Sequence, residues 1–142
     1  MGMTKMGQAA VFETAGNEDC HIILRGGSRG PNYGAADIEA ACALLRKCGV
    51  TERVMVDCSH ANSAKDYRRQ VEVARDIAAQ LAQGNESIMG VMIESHLQPG
   101  RQDLKPGVPL ARGVSITDGC IGWEQTEEVL RELARATRKR RG

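Results

Sequence analysis

Aromatic residues are scarce in this chain: one Trp, two Tyr and one Phe among 142 residues. A core must therefore be assembled from Leu, Ile, Val, Met and Ala, placed at regular intervals. Charge of one sign is not in excess either. Nineteen basic residues face 18 acidic ones, for a formal net charge of +1, which excludes a nucleic-acid or membrane role driven by bulk charge. The one basic run, Arg138-Lys139-Arg140-Arg141, reads as a solvated helix end favoured by the helix dipole, with a nucleic-acid tail as the other reading. No apolar stretch approaches the about 20 residues a membrane span needs, and residues 1–15 lack the apolar segment of a secretory signal. Five cysteines, at positions 20, 42, 48, 58 and 120, fall in no paired spacing. They read as reduced thiols of a cytoplasmic protein, with Cys42 and Cys48 packed on a helix as small hydrophobes.

What is present is a rhythm of short apolar runs and amphipathic helices. Residues 20–25 form the first run, ending at Gly26-Gly27. Ile38, Ala41, Cys42, Leu45 and Cys48 then follow helical spacing over residues 36–48, with Gly49 placed to stop it. Residues 53–58 form a second run. Ser63 and Asp66, three apart, offer a variant capping box for a helix whose buried stripe is Val73, Ile77, Ala78 and Leu81, stopped by Gly84. Residues 88–93 form a third run, and Val114 to Asp118 a fourth, shorter one. A loop over 95–113 carries three prolines and three glycines, and Val129, Leu130, Leu133 and Ala136 mark a closing helix over about 124–139. Residues 8–14 fit a β-hairpin with the 20–25 strand, turned at Gly16-Asn17.

The runs are rich in Val, Ile and Met and barely alternate, which predicts strands buried on both faces, as in a parallel sheet. Strands alternating with helices indicate βαβ units. From Arg25 to His60 is 35 residues and from His60 to Glu94 is 34, so each closes a strand and opens a βα loop. Three such units cannot close a (β/α)8 barrel, which takes about 250 residues. The expectation is a small open sheet or a piece of something larger.

Three strand ends carry chemistry. His60, Glu94 and Asp118 combine an imidazole with two carboxylates, a donor set that suits a divalent metal. Strand C-terminal ends are where β/α proteins build their sites. Glu94 is the least ordinary of the three, because carboxylates are rarely buried unless paired or metal-bound. Asp118 equally suits a helix N-cap. Asp57 either orients His60 or stabilises its loop. His96 should point away from the side chain of Glu94. Arg25-Gly26-Gly27 fits a phosphate or carboxylate, a guanidinium fork beside backbone that an anion can approach; Lys5, Arg29 and Lys65 could join it or simply be exposed.

These strings together resemble one family. Gly16-Asn17, Cys20 to Gly27, Pro31-Asn32-Tyr33, Asp57 to Ser63, Gly90 to Leu97, Ser115 to Asp118 and Cys120 to Trp123 resemble class I 3-deoxy-7-phosphoheptulonate synthases of the bacterial feedback-regulated type. The resemblance covers essentially the whole chain. It implies a metal-dependent transferase that condenses phosphoenolpyruvate with erythrose 4-phosphate, the first step of the shikimate pathway to aromatic amino acids. It further implies a TIM barrel of which residues 1–142 supply the C-terminal part: strands six to eight with their helices, preceded by a β-hairpin.

Matched to the family's motifs, His60, Glu94 and Asp118 become three of four metal ligands, for which manganese, iron, cobalt and zinc all qualify. Arg25 and His60 contact phosphoenolpyruvate, Asp118 contacts the aldose, and His60 and Asp118 serve catalysis. An aromatic amino acid effector and a homo-oligomer belong to the full-length enzyme. The family's fourth ligand, a first-strand cysteine, and its Lys-Pro-Arg-Thr motif have no counterpart here. The isolated chain is therefore expected to be inactive. The competing expectations are a non-catalytic remnant that binds a partner or regulatory ligand, and an unrelated metal-binding α/β module.

Overall fold

The computed structural model describes residues 1–17 and 19–142. A two-stranded antiparallel ribbon opens the chain, β1 (Gly2–Met3) against β2 (Ala9–Ala10). β3 (Ile22–Leu24), α1 (Ala35–Lys47), β4 (Val54–Asp57), α2 (Gln70–Ala82), β5 (Ile88–Met92) and α3 (Trp123–Arg140) follow. The sheet order is β3-β4-β5 and both pairings are parallel, so α1 and α2 are crossover helices.

β-branched side chains favour the strands, and one face of the sheet carries the core. Val54 and Val56 of β4 are fully buried, and Ile88 of β5 nearly so. They meet Ile38 and Cys42 of α1, Val73 and Ile77 of α2, and Val129 and Leu133 of α3. α2 and α3 also pack on each other and share the Arg75–Glu132 pair at 3.3 Å. The opposite sheet face is bare: Ile23 is 51% and Met89 48% exposed. Burial on both faces, expected from the weak alternation of the runs, is therefore not what the chain achieves by itself. Its helices cover one side only.

The opening hairpin also lies elsewhere than expected. It turns at Thr4 to Gly7, where the Gly7 N–H donates to Thr4 O and Gln8 N–H to Thr4 Oγ1. β3 pairs with β4 rather than with residues 8–14, and residues 11–14 join no strand. The next helix starts later than Ser63. The Ser63 hydroxyl is turned inward onto His60 O, and Asp66 caps a 3₁₀ turn (Tyr67–Arg69) through Arg68 N–H before α2 begins. The fourth run is not a strand. Ser115 makes single bridge contacts with Arg101, and its hydroxyl accepts the Thr117 N–H, a local turn that competes with ladder pairing. The closing basic run is not wholly solvated, since Arg140 donates to the carbonyls of Asn85 and Ile88 and pins the end of α3 to the start of β5.

Cys42 is buried on α1 as expected, but Cys48 is exposed because the helix ends at Lys47 and the chain turns away there. Cys20 is exposed, while Cys58 and Cys120 are buried. Burial, followed by the charge of Asp57, pushes the Cys58 thiol from 9.0 up to about 12. A thiol reagent at pH 8 should therefore titrate Cys20 and Cys48 quickly and all five thiols only in denaturant. The sign for stability follows from the same burial. Above pH 9 the unfolded chain loses the Cys58 proton and the folded chain keeps it, so stability should fall between pH 9 and about 12. Fast labelling of Cys58 in the folded chain would contradict both expectations.

Candidate metal centre at the strand ends

The loop after β4 builds the centre. Asp57, the last residue of β4, is buried, and its Oδ1 accepts the Ser59 N–H at 2.8 Å. Its Oδ2 faces His60 Nδ1 at 2.8 Å and Arg25 Nε at 3.8 Å. The imidazole contact is close but poorly aligned, and Nδ1 has no well-directed hydrogen-bond partner among the described residues. His60 itself sits at φ +50°, in the left-handed region that is uncommon outside glycine and is entered mostly by Asn, Asp and His. Lys65 N–H donates to His60 O at 2.7 Å and holds the turn closed. Backbone strain of this kind collects where a side chain must be aimed.

Asn62 ties this loop to its neighbours. Fully buried, it donates from Nδ2 to Leu24 O at 3.0 Å and to Asp57 O at 2.7 Å. Its Oδ1 accepts the Asn32 N–H at 2.8 Å, and Asn32 Oδ1 in turn accepts the Gly26 N–H at 2.6 Å. Gly26, at φ +74°, lies so close that a Cβ there would stand 2.7 Å from Ala61 Cβ. Arg25 next to it keeps its side chain 57% exposed, open to an anion.

Glu94 arrives from β5. Its backbone N–H donates to Gln70 Oε1 at 2.8 Å, and its carbonyl accepts from Gln70 Nε2 at 3.1 Å and from Ile121 N–H at 3.0 Å. Its carboxylate accepts the Ser59 hydroxyl at 2.6 Å. Asp118 is exposed, on the irregular segment that returns beside β5, and it caps no helix, since Gly122 stands at the start of α3.

The ligand atoms of His60, Glu94 and Asp118 lie within 4.8 Å of one another. Two ligands bonded at about 2.0–2.2 Å to one ion stand at most about 4.4 Å apart. Tetrahedral angles at those bond lengths bring ligand atoms to about 3.3–3.6 Å of one another, so the group must draw in by about 1 Å to close on one ion. The imidazole and the two carboxylates, borderline and hard donors, fit a divalent metal. The three residues singled out by their place in the sequence are thus brought together, with Asp57 beside His60 and Arg25 at the edge. His96 is exposed, its Nδ1 accepting the Leu97 N–H, and it stands apart from the group.

Ser59, Asn62 and Gln70 do work that the sequence reading left unassigned. Gln70 carried a signal. It falls in phase with the apolar stripe of α2 (Gln70, Val73, Ala74, Ile77 and Leu81 are all buried), and a polar residue on such a stripe needs a buried partner.

Three parallel strands with crossover helices, and a metal-capable group just beyond two of their C-terminal ends, define a β/α fold of the kind on which sites are built. The profile of the DAHP synthetase I family matches residues 2–131, and the chain belongs to that family. It is 53% identical over 141 residues to phospho-2-dehydro-3-deoxyheptonate aldolase of Haemophilus influenzae, covering 99% of this chain and 39% of the relative. It is 51% identical over 142 residues to the Phe-sensitive aldolase of Escherichia coli, covering 100% and 40%. The tyrosine-inhibited aldolase of Schizosaccharomyces pombe is 51% identical over 145 residues, covering 99% and 39%. The solved structure of the aldolase from Francisella tularensis superposes with a TM-score of 0.88 at 44% identity, covering 99% of this chain and 40% of that one. The chain thus spans about two fifths of the length of the relatives it matches. Among the described residues no helix is long and apolar enough to cross a membrane.

Proposed function

We propose that this chain is the C-terminal part of a cytoplasmic 3-deoxy-7-phosphoheptulonate synthase, supplying strands six to eight of a (β/α)8 barrel. The observation that carries the reading is the convergence of His60, Glu94 and Asp118 at one end of a parallel sheet, in a chain 53% identical to a protein named phospho-2-dehydro-3-deoxyheptonate aldolase. The bare sheet face at Ile23 and Met89 agrees with it, since further β/α units would cover that face and an exposed apolar face otherwise costs solubility.

In this reading phosphoenolpyruvate condenses with erythrose 4-phosphate. A bond forms between the methylene carbon of phosphoenolpyruvate and the aldehyde carbon. Water adds at the carbon bearing the phosphate, and inorganic phosphate leaves by C–O cleavage. His60, Glu94 and Asp118 would hold a divalent ion, manganese, iron, cobalt or zinc, beside a fourth ligand from outside this chain. When bound, such an ion supplies Lewis-acid polarisation of the aldehyde oxygen.

Arg25 takes the phosphate of phosphoenolpyruvate through its exposed guanidinium, and Asp57 behind it sets the direction of the fork. His60 stands beside the same substrate with its Nδ1 edge toward Asp57, and Asp118 reaches the aldose. These groups hold geometry and charge before reaction, where positioning is worth most. In the complete protein an aromatic amino acid is the effector and the assembly is a homo-oligomer; relatives are named Phe-sensitive and tyrosine-inhibited.

The test is complementation. The chain alone with Mn2+ and both substrates should release no phosphate above background. Adding the portion of the Phe-sensitive Escherichia coli relative outside the matched 40% should restore turnover. Normal turnover by the chain alone would overturn the partial-barrel reading. No turnover in the mixture, with both parts folded, would overturn the enzymatic one.

A further inference from the structure

The Ser59–Glu94 contact joins two halves of the centre that come from different strands. The Ser59 hydroxyl donates to Glu94 Oε2 at 2.6 Å, within the range of a charge-assisted O–H···O⁻ bond. Ser59 has little freedom to do otherwise. It is buried, its N–H is committed to Asp57 Oδ1 at 2.8 Å, and its carbonyl accepts the Ser63 N–H at 3.2 Å. Glu94 is equally constrained, because fully buried Gln70 holds both polar atoms of its backbone. With the Cα fixed and one carboxylate oxygen held by a donor, the carboxylate cannot turn freely to offer both oxygens to one ion.

We propose that Ser59 is a specificity-determining positioning residue that holds Glu94 to one-oxygen ligation and so biases the centre against calcium. The inference rests on reading His60, Glu94 and Asp118 as a metal site. Calcium takes six to eight oxygens and commonly accepts a carboxylate through both, whereas smaller divalent ions need fewer donors at shorter range. A hydroxyl that fixes the orientation of the Glu94 carboxylate hinders the two-oxygen grip the larger ion favours and costs the smaller one little. The same bond also orients the remaining oxygen, which raises affinity for the smaller ion.

Calorimetric titration of the full chain with Mn2+ and with Ca2+ tests this, with circular dichroism and melting curves run on every variant. The unsubstituted chain should prefer Mn2+. Ser59→Ala should weaken Mn2+ binding about tenfold while Ca2+ binding holds or strengthens, so the preference narrows by about tenfold or more. Ser59→Thr, which keeps the hydroxyl, should keep the preference. If alanine unfolds the chain, Ser59→Cys, similar in size with a far weaker donor, should show the same narrowing. A preference unchanged in Ser59→Ala, or both ions weakened equally, would overturn the assignment and leave the metal site standing. Failure of the unsubstituted chain to bind either ion would overturn the metal site itself, and this assignment with it.

Discussion

Gly26→Ala is expected to destabilise the chain by about 2–5 kcal/mol, lowering its melting temperature by about 10 °C. Two independent effects add at this position. Gly26 sits at φ +74°, where a Cβ costs about 1–2 kcal/mol. The new atom would also stand 2.7 Å from Ala61 Cβ, 2.8 Å from Ala61 C and 2.9 Å from Asn62 N. Two of these three are backbone atoms, which no rotamer change can move aside. Relief must come from shifting the 57–62 loop, and overpacking of that kind costs about 1–3 kcal/mol. Because His60 rides on that loop, metal affinity should fall with stability. Thermal melts against the unsubstituted chain decide the point, and a change below about 1 kcal/mol would mean that the loops do not meet as described.

His60→Gly should separate site from fold in the opposite way. Mn2+ affinity is expected to drop on the order of a hundredfold or more, since a ligand is removed rather than merely disoriented. Stability should move by little, because opposing terms are of similar size. Glycine at φ +50° relieves about 1 kcal/mol of left-handed strain. Against this stand the close but misaligned contact with Asp57 Oδ2 at 2.8 Å and glycine's freedom in the unfolded chain. A melting temperature within a few degrees of the parent, beside lost titration heat, is the expected pair of results. Undiminished Mn2+ binding would remove His60 from the centre.

The two predictions also show what the sequence could and could not reveal. Crossover helices were legible because their signal is periodic, Ile38, Ala41, Cys42 and Leu45 on α1 and Val73, Ile77 and Leu81 on α2, and the strands because short apolar runs alternate with those helices. His60 and Glu94 were legible because a polar side chain that ends an apolar run is out of place unless it has a role. Asp118 stands beside His60 and Glu94, but not as the end of a strand. Its segment makes bridges and an Ser115–Thr117 turn rather than a strand, and it reaches the centre through loop geometry. The opening hairpin was misplaced because a two-residue ladder carries almost no periodic signal, and the turn at Thr4 to Gly7 depends on local hydrogen bonds. Nothing local in the sequence marks the longer reach of Ser59 and Asn62, to Glu94 35 residues away and to Leu24 38 residues away.

Asn62 has a consequence for how the molecule opens. One buried amide holds the end of β3, the end of β4 and the loop at Asn32. No one of these three segments can swing out without stranding a polar group of the others, so breathing of the centre should be all-or-none. The backbone amides of Gly26, Asn32 and Ser59 would then report a single opening event and exchange with solvent at one common free energy, although they lie on separate stretches of the chain. The strand ends would behave as one cooperative unit, held rigid before any substrate or ion arrives.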